Sequence, residues 1–192
     1  MWLAERLETA ARAAELLEQK ERVLRREQRR LLVLERTTRA AWEKAWRESQ
    51  TWIARAAALR GRHVISLGAR RDLATVELTW RNSMGAFYPA EAACRLPEPR
   101  PVRESAGTAA MVDAVRVHRE ALERAVVHAA TNRATTEVDR ELRATRRRLR
   151  MLRHHWIPAL GTAVRSVDIE LEERERGDIV HARWAHTKSR SR

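Results

Sequence analysis

The side chains of this sequence with the reach to do chemistry are its histidines, one cysteine, a carboxylate cluster and a run of arginines. The histidines are His63, His118, His128, His154, His155, His181 and His186. None stands in an HExxH or comparable ligand spacing. His154 and His155 are neighbours that point two ways from a helix, so they read as surface or seam residues rather than a metal pair. Cys94 is the only cysteine. It can form neither an internal disulfide nor a thiolate cluster, and no nucleophile motif surrounds it. Glu170, Glu172, Glu173 and Glu175 have the type needed for paired-carboxylate chemistry. Interleaved with Arg174 and Arg176 on a helix, they read as a solvated face instead. Neither a GxxxxGKS/T phosphate loop nor GxGxxG occurs. The sequence therefore predicts no catalytic site, no metal and no cofactor.

Arg140 to Arg153 holds seven arginines and a single acid, Glu141. A solvated helix accounts for such a run only in part, because like charges three and four residues apart repel. The run predicts an acidic neighbour, either the glutamate side of a partner helix or another protein of a complex. After Asp178 the chain has no acid at all, and its end is expected to fray unless a partner holds it.

The elements that position these residues are long helices. The chain has 192 residues, 44% hydrophobic, 34% charged and only 5% aromatic, a mixture typical of coiled coils. The net charge of +13 fits a solvated helix surface, acidic protein partners or nucleic acid. Acids interleaved with the bases, as Glu15, Glu18, Glu21 and Glu27 are among Lys20, Arg22, Arg25 and Arg26, favour the first. No signal peptide begins the sequence, and no run of about 18 apolar residues could cross a membrane.

Glycine and proline are absent from residues 1–60 and 108–157 and are gathered between these blocks. That distribution divides the chain into a long helix over 1–66, a middle segment over 67–105 and a second long helix over 106–192. In the first block one row of heptads takes Leu3, Ala10, Leu17, Leu24, Leu31, Thr38, Ala45, Trp52 and Leu59. The companion row turns polar at Glu21, Gln28 and Glu35, where Val23, Leu32 and Leu34 are expected to widen the apolar face. The second block starts with Met111, Val115, His118, Leu122, Ala125 and Ala129. It slips, and resumes with Val138, Leu142, Thr145, Leu149, Leu152, Trp156, Ala159 and Ala163; Val167 and Leu171 follow a second slip. Pro158 predicts a kink near residues 154–158. The fold class expected is all-α, an antiparallel two-helix left-handed coiled coil with a short β-hairpin in the middle segment. An arm of about 60 residues is roughly 90 Å long, the reach of a shaft or spacer.

The hairpin is read from the alternation over Thr75–Trp80, the turn residues Asn82-Ser83-Met84-Gly85, and a return through Ala86, Phe87 and Tyr88 that Pro89 should end. A loop of Leu96-Pro97-Glu98-Pro99-Arg100-Pro101 follows. Of the seven tryptophans, Trp42, Trp52 and Trp156 fall on the seam, whereas Trp46, Trp80 and Trp184 are better placed for partner contacts. Local packing remains open for each.

Several stretches in this order resemble the D subunit of the V-type and archaeal-type ATPases. They are Leu16, Leu17 and Lys20 in the first helix, and the turn with Arg81, Asn82 and Gly85. They end with the C-terminal run of Arg146 to Arg148, Ile157-Pro158 and Glu170 to Arg176. The resemblance covers nearly the whole chain. It implies a central rotor shaft without catalytic activity, coupling ATP hydrolysis or synthesis in a catalytic hexamer to proton or sodium transport. It implies as partners the catalytic and regulatory hexamer subunits, the small F subunit of the rotor and the adaptor subunit on the membrane ring, with no nucleic acid and no direct membrane insertion. The place implied is cytoplasmic, peripheral to the membrane through the complex. On this reading Leu3, Leu7, Val167, Leu171, Ile179 and Trp184 close the shaft tip or bear on the hexamer collar. The hairpin residues Val76, Leu78, Trp80, Met84, Gly85, Phe87 and Tyr88 are regulatory, and Trp46 and Trp52 meet the small rotor partner. A nucleic-acid-associated coil and a generic scaffold are the alternatives.

Overall fold

In a computed structural model of the chain, residues 2–60, 73–98 and 109–190 are described. The expected helical residues 61–66 and 106–108 and the loop at Pro99 to Pro101 lie outside them. Helix α1 is Trp2–Arg60. Strands β1 (Thr75–Ser83) and β2 (Ala86–Arg95) follow, then helix α2 (Ala109–Met151). A π-helical turn, Leu152–Trp156, leads into helix α3 (Ile157–Arg190). Cα packing divides the chain into a first unit, residues 1–21 with 143–192, and a second, residues 22–142.

The second unit pairs α1 with α2 in antiparallel sense. The amide of Gln28 donates to Asp139 at 2.7 Å, and Ser49 Oγ lies 2.9 Å from His118 Nδ1. Trp42 stacks on His128 with ring centroids 5.4 Å apart. The core joins Leu24 and Leu31 of α1, Ala86 and Tyr88 of β2, and Ala134, Val138 and Leu142 of α2. Each large apolar side chain buried there stabilises the unit by about 1.5–3 kcal/mol.

The antiparallel hairpin is longer than expected. β2 runs through Pro89 to Arg95, because a bulge between Thr79 and Trp80 pairs Trp80 with Pro89 and Thr79 with Glu91. A bulge frees proline from the ladder bond it cannot donate. Met84 and Gly85, both at positive φ, make the turn, and Asn82 Oδ1 accepts from the Gly85 amide at 2.9 Å. The guanidinium of Arg119 donates to the Pro97 carbonyl at 2.6 Å and ties the strand exit to α2.

The expected slip between Ala129 and Val138 does not occur. On α2, buried Ala114, Ala121, Thr135, Leu142 and Leu149 repeat every seven or fourteen residues, and Val117, Thr131, Val138 and Thr145 make the second row. Val115 and Leu122 stand one place off the seam and are exposed. The seam takes small or flat residues here because indoles come across from α1: Trp46 meets His118 as Trp42 meets His128. Likewise Val23, Leu32 and Leu34 do not widen the apolar face of α1 but stay exposed. The companion row stays at the interface as polar pairs, Gln28 with Asp139 and Glu21 with Arg146.

In the first unit, Arg146 Nε donates to Glu21 at 3.0 Å, and Arg153 pairs with Glu18. Where the sequence predicts a kink, the chain widens into the π turn, in which the Ile157 amide bonds back to the Leu152 carbonyl, five residues earlier. Pro158 lacks an amide hydrogen and its ring crowds the preceding turn, and a one-residue insertion relieves both conflicts. The insertion moves the seam on by one. Ile157, Leu160 and Val164 are half-buried, while Trp156 and Ala159 are turned out. Trp156, expected to pack on the seam, is 56% exposed.

Candidate partner-binding surfaces

Among the described residues no group of His, Cys, Asp and Glu is arranged to hold a metal ion. Cys94 is half-buried on β2 opposite Val76, and His154 and His155 are exposed on the π turn. The features that stand out are surfaces.

The first surface lies on the first unit. Leu3 and Leu7 are half-buried, while Val167, Leu171 and Ile179 are exposed. The Trp184 side chain lies outside the described residues. The pairs Glu21–Arg146 and Glu18–Arg153 set a register that brings the start of α1 to about residue 167. The rest of α3 therefore passes beyond the first described residue of α1. Its apolar side chains Ile169, Leu171, Ile179 and Val180 are exposed, and so is Trp2, whose ring carries the Arg6 guanidinium at 4.5 Å. Exposed pairs Arg174–Glu170 at 2.7 Å and Arg176–Glu172 at 3.3 Å run along α3, as the solvated-face reading of that cluster expects.

The second surface is the hairpin, whose two faces differ. Tyr88 is fully buried against the helices, and its hydroxyl donates to Glu27 at 2.7 Å. Glu27 also accepts from Arg30 at 2.6 Å. The Arg30 bond, ahead of the Tyr88 bond, holds the Glu27 carboxyl below its ordinary range. Burial first, then the bond to Glu27, pushes the Tyr88 phenol up. Val76, Leu78, Trp80 and Phe87 are exposed, and the Trp80 and Phe87 rings stack 4.9 Å apart. Met84 and Gly85 sit exposed in the turn. Of the hairpin residues singled out, Tyr88 is thus a core residue and the other six face solvent.

The third surface is on the second unit. Trp46 is 41% exposed, and Trp52 is half-buried beneath the Arg55 guanidinium, 4.9 Å from its ring. Val115 and Leu122, displaced from the seam, add exposed apolar area on α2. Sequence reasoning misses them by placing them in the seam. The signal that could separate them is the row of Ala114, Ala121 and His128, which takes the seam only if small residues oppose the tryptophans.

The arginine run finds acids within the chain, Glu137 for Arg140, Glu21 for Arg146 and Glu18 for Arg153. The partner-helix expectation holds for the last two.

Comparison with known proteins agrees with this architecture. The chain is 30% identical over 181 residues to the D subunit of the V-type ATP synthase of Anaeromyxobacter sp. (strain Fw109-5), covering 91% of this chain and 84% of that protein. Neither comparison supports a nucleic-acid-associated or scaffolding coil. The family model of the ATP synthase D subunit matches residues 2–187, helix, hairpin and helix together, and the chain belongs to that family.

Proposed function

We propose that the chain is the central-stalk rotor of a V/A-type rotary ATPase, without a catalytic site of its own, which couples ATP hydrolysis or synthesis in a catalytic hexamer to proton or sodium transport. The main support is the family match over residues 2–187. The physical support is the way α1 and α2 are registered. An element that transmits torque must not let its helices slide. Gln28–Asp139 and Ser49–His118 are polar contacts between buried or half-buried partners in the second unit, and Glu21–Arg146 does the same in the first. Sliding would strand each polar group without its partner, at about 1–3 kcal/mol apiece. Much of the remaining surface carries exposed ion pairs, such as Arg174–Glu170 and Arg39–Glu43, and these are worth only about 0–1 kcal/mol each, so they put no deep binding well in the way of rotation.

On this reading the free part of α3, with Val167, Leu171, Ile179 and Trp184, enters the hexamer with the start of α1. The exposed Trp46 face, with Trp52, Val115 and Leu122, meets the small F subunit of the rotor. The hairpin side lies toward the membrane-ring adaptor. No helix among the described residues is long and apolar enough to cross a membrane. We place the chain on the cytoplasmic side, held peripherally through the complex.

Co-expression with the other subunits of the same ATPase tests the reading. The catalytic hexamer should copurify with the chain, and ATP-driven rotation and ion transport should need it. A complex that transports ions at full rate without the chain would overturn the assignment. A deletion of residues 180–192 should lower coupling while leaving the coil folded and the small rotor partner bound.

A further inference from the structure

Four of the seven arginines between Arg140 and Arg153 are satisfied within the chain. Arg140 pairs with Glu137, Arg146 with Glu21 and Arg153 with Glu18, and Arg143 also has an interaction partner. Arg147, Arg148 and Arg150 are exposed and have no hydrogen-bond or ion-pair partner among the described residues. All three lie in one turn of α2. Arg147, Arg150 and His154 follow one another at three and four residues, with Arg148, Met151 and His155 as the neighbouring row. Like charges at such spacings weaken a helix, so this turn keeps its arginines against its own stability.

A solvated face would explain arginines alone. It does not explain what stands among them, for Met151 is 54% and Trp156 56% exposed. The π turn that accommodates Pro158 is what takes Trp156 out of the seam and leaves its indole in water. Arginine, methionine and tryptophan together are the residues enriched in the buried centres of protein interfaces. Unpaired guanidiniums present forks that fit carboxylates in bidentate fashion.

We propose that Arg147, Arg148, Arg150, Met151 and Trp156 form a docking surface for an acid-rich face of another protein of the same ATPase, with Trp156 and Met151 seated in an apolar recess among the carboxylates. This rests on the rotor reading above. The exposed Met and Trp favour a protein over a nucleic-acid backbone, which would engage the arginines and offer an unbent duplex no recess for the apolar pair.

The other soluble subunits of the ATPase, co-expressed without this chain, are titrated with the full-length protein at low and at high salt. The triple variant R147Q/R148Q/R150Q should bind about tenfold more weakly at low salt, and high salt should close most of that gap, because screening removes the charge contribution. Trp156→Ala should also weaken binding about tenfold, with a gap that salt does not close. Both variants should melt as the wild type does or slightly higher, which separates lost docking from lost folding. Wild-type affinity and salt dependence in both variants would overturn the proposal. So would a triple variant that loses only affinity for DNA or RNA. Failure of the wild-type chain to bind any of the subunits would instead refute the rotor reading on which the proposal stands.

Discussion

Residues 22–142 and the paired segments 1–21 and 143–190 treat their apolar side chains in opposite ways. In the second unit three elements converge, and Leu24, Leu31, Tyr88, Val138 and Leu142 are completely or almost completely buried. In the first unit only two helical segments meet. Among the described residues its buried ones are Ala14, Thr145 and Leu149, while Ile169, Leu171, Ile179 and Val180 stay in solvent. A two-helix coil has one seam and no second layer to cover it, so a third element decides where a true core forms. The hairpin supplies that element to the second unit. The comparison teaches that the second unit covers its own large apolar side chains, whereas the first leaves many of its own in solvent.

The largest effect should come from the hairpin-covered core. Leu31→Ala should cost about 2–5 kcal/mol of unfolding free energy, read from urea denaturation of the isolated chain, since the cavity sits under Tyr88. A loss below about 1 kcal/mol would mean that this region is no better packed than the rest. Next in size is Tyr88→Phe, which removes a hydrogen bond to a charged acceptor and should cost about 1.5–3 kcal/mol.

The same contact gives the second unit a pH dependence. The Glu27 carboxyl is held below its ordinary value of 4.5, chiefly by Arg30. Its contribution is therefore complete above that value and is lost as pH falls through the lower value in the folded chain. The Tyr88 phenol is raised above 10.0 by burial and by Glu27. The stability it lends is present below that value and fades as pH rises through the folded-state value. Glu27→Gln should flatten the acid limb of a stability-against-pH curve. An acid limb identical to the wild type would show that the pair does not couple the hairpin to protons.

A smaller change of opposite sign is expected in the first unit. The hydroxyl of Thr145 is buried in the seam with no hydrogen-bond partner among the described residues. Thr145→Val keeps the shape and removes the stranded group, and should raise stability by about 1 kcal/mol. A decrease would point to a hydrogen bond formed by this hydroxyl. The smallest effect separates the units most clearly. Leu171→Ala should change the stability of the isolated chain by less than about 0.5 kcal/mol, yet weaken its capture by the catalytic hexamer. Destabilisation comparable with Leu31→Ala would show that α3 is covered by its own chain.

Much of this is legible in the residues. Glycine and proline mark the helix boundaries because both disfavour helix interiors, by conformational entropy in one case and by a missing donor in the other. The row from Leu24 through Leu31 to Ala45 holds its place on α1, and Asn82 to Gly85 make the turn as read. The misreadings share a cause. Val115, Leu122, Val23, Leu32 and Leu34 read as inward for being large and apolar, whereas Ala114, Ala121, Gln28 and Glu21 occupy the interface. Side-chain size tells which residues gain most from burial, but a seam is filled by pairs. Where Trp42 and Trp46 enter from one side, only alanine or a flat imidazole fits on the other.

By itself the sequence determined two long helices, the hairpin between them and the family, since these follow from local propensity, periodicity and the order of motifs along the chain. The tertiary structure alone decided that Tyr88 is core while Trp80 and Phe87 are surface. It also decided that Pro89 is accommodated by a bulge, and that Pro158 is met by a π turn that carries Trp156 outward. The last two each depend on one inserted residue. One residue turns a strand by half its period and a helix by roughly 100°, and composition cannot say where the extra residue will be taken up. That is settled only when the opposing element offers, or withholds, the space.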